Sequence, residues 1–226
     1  LIRETQGEFF DFAHEQLRAV VYESASLTRR RLLHRRVAEA LVAAERTRGR
    51  EALTDDARIA HHLEQSAQMQ EAAGYYFVAG VRSAEMRANA DALVLLRRAA
   101  TLGYANRAEL HQLMGDLRTL QGEYQEALRD YNVALALTTS VAPNESLASV
   151  RLYQRLARVH HRMGDYAVAE EEWRKGLDLL EGTEEHEFAS WMLAELSLTR
   201  LQSGDRERAL QTAQEALAEA ERAGSN

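Results

Sequence analysis

From Val150 to Gly182 the apolar and small residues keep a helical period twice, with one break between. Tyr153, Leu156 and Ala157 share one face of a first helix; Tyr166, Ala169, Trp173 and Gly176 share one face of a second. Gly164 stands at the break, where a left-handed cap costs a glycine nothing and lets the chain reverse. Ala157, Ala169 and Gly176 are small where two helices must approach closely, and Tyr153 and Trp173 fill the space between neighbouring pairs.

The same punctuation recurs on both sides. Gly122, Gly164 and Gly204 follow one another at intervals of 42 and 40 residues. Ala127, Ala169 and Ala209 keep step five residues later, and Ala134, Gly176 and Ala216 seven residues after that. Three helix pairs after Asn106 follow, with Thr138 to Ser146, around Pro143, as the connector between two of them. Ala72, Tyr76 and Ala79 have the spacing of a second helix, and Ala92 and Ala99 repeat it one helix later. The phase of pairing before Leu102 is therefore open. Helices are expected at about 13–24, from Ser26 or Thr28 to about Glu45, and over 55–68, with a polar loop over 46–54. Residues 1–12, with Phe9, Phe10 and Phe12, are the one stretch that reads as extended. About eleven helices result, each antiparallel to the last and touching only its neighbours.

Composition agrees with this pattern. One proline, 12 glycines and abundant Ala, Leu, Glu and Arg favour helix nearly throughout. The absence of cysteine removes disulfides, thiolate metal sites and thiol nucleophiles, and fits a cytoplasmic protein. A net charge of −7 argues against nucleic-acid binding by the chain as a whole. No apolar run is long enough to span a membrane. The start at Leu1 and the end at Asn226 read as those of a piece of something longer.

The unit over 150–182 resembles the tetratricopeptide repeat, with Tyr153, Leu156, Ala157, Gly164, Tyr166, Ala169, Trp173 and Gly176 in that family's positions. The resemblance implies an all-α, right-handed superhelix of antiparallel helix pairs, acting as a scaffold for partners. A second resemblance covers about the first 45 residues. Phe12 and His14, Leu17 and Arg18, Val21 and Tyr22, then Arg30, Leu33, His34, Val37 and Ala38 are similar to a segment of ATP-binding, LuxR-type transcriptional activators and related bacterial multi-domain ATPases. In that family the segment joins a winged-helix part to helical repeats, and the words around His61 and His62 resemble the entry into them. The resemblance makes residues 1–54 a helical linker following a truncated winged-helix-like region, and 55–226 the repeat array. The family's nucleotide-binding motifs are missing from these residues, so no ATPase activity carries over.

Candidate chemistry is sparse. His61–His62 and His160–His161 are adjacent pairs that point about 100° apart on a helix and chelate poorly. No zinc-protease pattern, nucleophile elbow or phosphate loop occurs, so neither catalytic residues nor a metal or cofactor is expected. The acidic runs Glu170–Glu172 and Glu184–Glu185 read as solvated faces. The basic run Arg29–Arg36 reads as the wet face of a helix whose Leu32, Leu33 and Val37 turn inward.

One helix is more informative. Over Leu147–Met163, Arg151, Arg155, Arg158 and Arg162 fall on one face, with no acid on that helix. First helices line the concave wall of a tetratricopeptide array, so this stripe suits a carboxylate, a phosphate or an acidic peptide. Glu109 and Asp116 occupy, one repeat earlier, the positions of Arg151 and Arg158. A ladder with them would absorb those two arginines and leave Arg155 and Arg162 free. Trp191, at the equivalent position one repeat later, is either an aromatic wall of the groove or cover for a neighbour. Gln154 and His161 complete the candidate groove.

The expected function is a non-catalytic scaffold for protein–protein interaction or inducer sensing, in a bacterial transcriptional regulator. The alternatives are a free-standing peptide-binding adaptor and the regulatory region of a cyclase-type signalling enzyme. A protein or peptide is the expected partner, with an anionic small-molecule inducer and a second copy of the chain as further candidates, and neither nucleic acid nor membrane.

Overall fold

The computed structural model describes residues 2–5, 9–12, 15–48, 56–141 and 146–224, with side chains described over 19–44, 56–140 and 147–224. Two short strands open it, β1 (Ile2–Thr5) and β2 (Phe9–Phe12), paired antiparallel with Ile2 opposite Phe12 and Thr5 opposite Phe9. The extended reading of residues 1–12 thus holds for 2–5 and 9–12, the described part of that stretch.

Eleven helices follow among the described residues. They are α1 (Glu15–Ser24), α2 (Leu27–Arg48), α3 (Asp56–Gln65), α4 (Met69–Glu85), α5 (Asn89–Thr101), α6 (Arg107–Gln121), α7 (Tyr124–Val141), α8 (Ser146–Met163), α9 (Tyr166–Asp178), α10 (His186–Gln202) and α11 (Arg206–Ala223). Chain contacts divide them into two compact units, Leu1–Tyr104 and Ala105–Asn226.

Side chains that favour helix starts stand where the helices start. Ser26 accepts a hydrogen bond from the Arg29 backbone N–H at 3.3 Å. Asn106 does the same for Glu109, whose carboxylate returns a contact to Asn106 at 2.9 Å, and Asp205 does so for Arg208. The expected connector over 138–146 is shorter than the sequence implies. Thr138 and Thr139 stay in α7 and turn their hydroxyls back to the carbonyls of Ala134 and Leu135 at 2.9 Å, so α7 runs on to Val141. Pro143 and most of the expected polar loop over 46–54 lie outside the described residues; α2 itself continues to Arg48.

In the second unit the pairs are α6 with α7, α8 with α9, and α10 with α11, reversing at Gly122, Gly164 and Gly204 with φ of 79°, 84° and 94°. Small residues let the helices close on one another. A methyl on Gly115 would stand 2.5 Å from the Tyr131 ring, and one on Gly176 would stand 2.6 Å from the Met192 methyl. Two apolar clusters fill the seams. Leu128 and Tyr131 of α7 pack with Leu152, Leu156 and Val159 of α8. Ala157 of α8 packs with Trp173 of α9 and with Met192 and Leu196 of α10. Trp173 is wholly buried, as its place in the pattern implies.

The first unit uses the same logic with different residues. Ile59, Ala60 and Leu63 of α3 are buried, as are Ala72, Ala73, Tyr76 and Phe77 of α4 and Leu93 and Leu96 of α5. Phe77 stacks on Tyr104 with ring centroids 4.2 Å apart. One expectation fails here. Leu32, Leu33 and Val37 of α2 face solvent, being 48%, 48% and 37% exposed, and the buried residue of that helix is Ala38. In the first half of α2 the half-buried residues are polar, Arg30 against Tyr22 of α1 and His34 against His62 of α3, so hydrophobicity alone misorients the helix.

Candidate functional site

The arginine stripe lies on α8 as its period requires, and α6, α7 and α8 together enclose a groove of about 390 Å³. Leu120 and Thr119 of α6, Tyr131 of α7 and Gln154 of α8 line it, with all four arginines at its edge. Of the candidate residues, the structure therefore brings together Arg151, Gln154, Arg155, Arg158 and Arg162.

Trp191 and His161 go elsewhere. Trp191 meets Trp173 edge to face, with ring centroids 5.9 Å apart, and stacks on Phe188, so it covers the core beside α8. His161 Nδ1 lies 2.9 Å from the Thr199 hydroxyl, which itself donates to the Glu195 carbonyl and accepts from Trp173 Nε1. Because that hydroxyl has one hydrogen and spends it on Glu195, His161 Nδ1 must be the donor. The imidazole thus ties α8 to α10.

The acid–arginine ladder forms in a different register from the one expected. Asp116 takes Arg155, with Nε to Oδ1 at 2.8 Å and Nη2 to Oδ2 at 3.4 Å. Arg155 also donates through Nη1 to the Arg151 carbonyl at 3.1 Å. Tyr131 donates its hydroxyl to the same Asp116 at 2.8 Å, and its burial pushes the phenol pKa up, with the Asp116 charge as the next cause. Glu109 is held at the start of α6 by Asn106. Arg151 places its guanidinium 5.8 Å from the Phe188 ring centroid.

This pairing exchanges the roles within the stripe. Arg155 is half-buried and neutralised by Asp116. Arg158 and Arg162 are exposed and have no ion pair among the described residues. They sit one turn apart, about 6 Å along the helix axis. Expecting equivalent positions in neighbouring repeats to meet is what misassigns them. Asp116 and Arg158 are both six residues before their turn glycine, yet Asp116 reaches one turn earlier, to Arg155.

A set of interhelix contacts went unread in the sequence. Asp130 is buried and held by Arg118 Nη1 at 2.6 Å and His111 Nδ1 at 2.9 Å. Arg200 bridges Glu170, at 2.7 Å, and Thr212. A signal was there: Arg118 and Arg200 each stand four residues before a turn glycine. Among the described residues no group of three or more His, Cys, Asp or Glu side chains is arranged to hold a metal ion, and no helix is long and apolar enough to cross a membrane.

The family model for the tetratricopeptide repeat matches residues 147–222, about a third of the chain. No curated protein matches the chain. Solved structures similar to it include MamA, at 18% identity and a TM-score of 0.60 over 85% of this chain and 94% of that one. BtubC from P. vanneervenii has 13% identity and a TM-score of 0.60, covering 87% and 92%. YrrB, described as a TPR protein with an unusual peptide-binding site, has 16% identity and a TM-score of 0.52, covering 80% and 93%. Likeness at such low identity speaks for the fold. The fold is the all-α tetratricopeptide type, antiparallel helix pairs repeated along the chain.

Proposed function

We propose that the chain is a non-catalytic interaction scaffold whose groove over α6, α7 and α8 receives an acidic peptide segment of a protein partner. The observation that carries this reading is the pair Arg158 and Arg162, exposed and unpaired on a helix without any acid, beside a groove that the exposed apolar Leu120 also lines. Such cations gain from meeting a carboxylate, and the apolar patch accepts the chain that carries it. The N-terminal resemblance supports reading the scaffold as part of a bacterial multi-domain regulator of transcription, with residues 1–54 as linker and 55–226 as array. The free-standing adaptor is the second reading, supported by YrrB, whose own description includes peptide binding.

A labelled oligoglutamate peptide tests the groove. Arg158→Ala with Arg162→Ala should weaken its binding about tenfold, equal to 1.4 kcal/mol, and flatten its salt dependence. Unchanged affinity and unchanged salt response would place the partner elsewhere. The complete reading frame tests the setting, since an upstream Walker motif and winged helix support the regulator.

A further inference from the structure

We propose that the contact between His34 and His62 is a proton-gated clamp, which holds α1 and the first half of α2 against α3 at neutral pH and releases them on acidification. Three helices meet through one chain of side chains. Tyr22 of α1 has its hydroxyl 3.0 Å from His34 Nε2, and His34 Nδ1 of α2 lies 2.8 Å from His62 Nδ1 of α3. His61 adds a third imidazole, its ring centroid 6.1 Å from that of His34.

The remaining contacts of this region are few. Among the described side chains of α2 only Ala38 is buried, and in its first half only Arg30 and His34 are even half-buried. The histidine contact ties that half to α3 through one of its half-buried polar side chains.

Its proton capacity follows from geometry. Two facing nitrogens at 2.8 Å need one hydrogen and one lone pair between them. A first added proton leaves that arrangement intact, because it can sit on a ring nitrogen pointing away from the contact. A second would put N–H on both facing atoms, and two donors cannot share that separation. The open state has no such limit and takes one proton more.

The charged and titratable surroundings reinforce this. Arg30 lies over the Tyr22 ring at 5.2 Å, while Arg58 and His61 sit on α3 with His62. Among the described residues neither ring is hydrogen-bonded to a carboxylate. Burial first, and then the neighbouring His61 charge, lowers the His34 pKa. Burial first, then His34, His61 and Arg58, lowers that of His62. A histidine depressed in the folded state contributes its stability above the unfolded value. That contribution is lost as pH falls from the unfolded value through the folded one.

Hydrogen exchange of the whole chain, corrected for the intrinsic pH dependence of exchange, tests the clamp between about pH 7.5 and about pH 5.5, on either side of the free-histidine value. Protection over residues 27–37 should fall about tenfold per pH unit once the open state holds the extra proton. Protection in α6 to α11 should show no such slope. His62→Gln retains a side chain that donates and accepts but does not titrate, so its protection over 27–37 should fall much less steeply with pH than in the wild-type chain, the burial of His34 alone remaining. Level protection in the wild-type chain overturns the proposal, and so does a slope that survives undiminished in His62→Gln with normal helicity. If that variant loses protection at neutral pH, NMR titration of the wild-type rings decides. Coupled titration of His34 and His62 below the ordinary histidine value supports the clamp, and independent titration at that value sinks it.

Discussion

The two units build the same turn from different residues. In the second unit, Gly122, Gly164 and Gly204 take the left-handed conformation. In the first, Ala67 at φ 67° and Arg87 at φ 61° take it after α3 and α4, and a glycine, Gly103 at φ 83°, takes it only after α5. The hydrogen bonds are the same in kind at all six, including Gly103, where Tyr104 donates to Ala99. The residue after the left-handed one donates five positions back, as Gln68 does to Leu63, Ala88 to Ser83, Glu123 to Arg118, Asp165 to His160 and Asp205 to Arg200. An alanine five residues on is buried at Ala72, Ala92, Ala127, Ala169 and Ala209. A left-handed non-glycine residue costs about 1–2 kcal/mol. In the first unit that cost is offset by packing around Ile59, Leu63 and Leu96 and by ion pairs from Arg82 to Asp56, at 2.5 Å, and from Arg98 to Glu64. Glycine therefore advertises this turn without being required for it.

Large side chains sharpen the comparison most. The second unit rests on one buried tryptophan, and Trp173→Ala should cost about 3–5 kcal/mol in denaturant unfolding. A neutral result would remove Trp173 from the centre of the α8–α10 seam. In the first unit Leu96→Ala should cost about 2–4 kcal/mol, because its core is shared among several aliphatic residues.

Next come the close helix approaches. Gly115→Ala drives a methyl into the stiff Tyr131 ring and should cost about 1–3 kcal/mol. Gly176→Ala meets the flexible end of Met192 and, less closely, the Tyr153 Cβ at 3.3 Å, and the helix propensity gained should bring it within about 1 kcal/mol of neutral. Equal costs at the two sites, read from thermal unfolding, would mean that the stiffness of the neighbour does not matter.

The turns themselves give a smaller effect of opposite sign in the two units. Arg87→Gly should stabilise the chain by about 0.5–1 kcal/mol, and Gly164→Ala should destabilise it by about 1 kcal/mol. Loss of stability in Arg87→Gly would show that the arginine side chain contributes more than the strain removed. The smallest effect is expected on α8. Arg158→Ala with Arg162→Ala should leave the melting temperature nearly unchanged, within about 0.5 kcal/mol, since both are exposed and unpaired. A large drop would make the stripe structural.

These contrasts explain what was legible. The three pairs after Asn106 were readable because Gly122, Gly164 and Gly204 keep step with buried Ala127, Ala169 and Ala209. Pairing in the first unit stayed ambiguous because α4 and α5 each begin after a left-handed residue and each bury an alanine five positions later, so both carry the mark of a second helix. The arginine face of α8 was readable from its period. Which of its members are free was not, because Asp116 meets α8 one turn away from its sequence equivalent.

Helix content, the reversal points of the second unit and the small residues at close approaches were determined by local chemistry, since period, capping and side-chain volume act within a few residues. The register between neighbouring helices was decided only by tertiary packing. That register assigns Asp116 to Arg155, turns Trp191 onto Trp173, sets His161 on Thr199 and brings His34 against His62. Each of these contacts joins residues 18 to 39 positions apart, and a shift of one helical turn, 5.4 Å, would replace every one of them while leaving each helix unchanged.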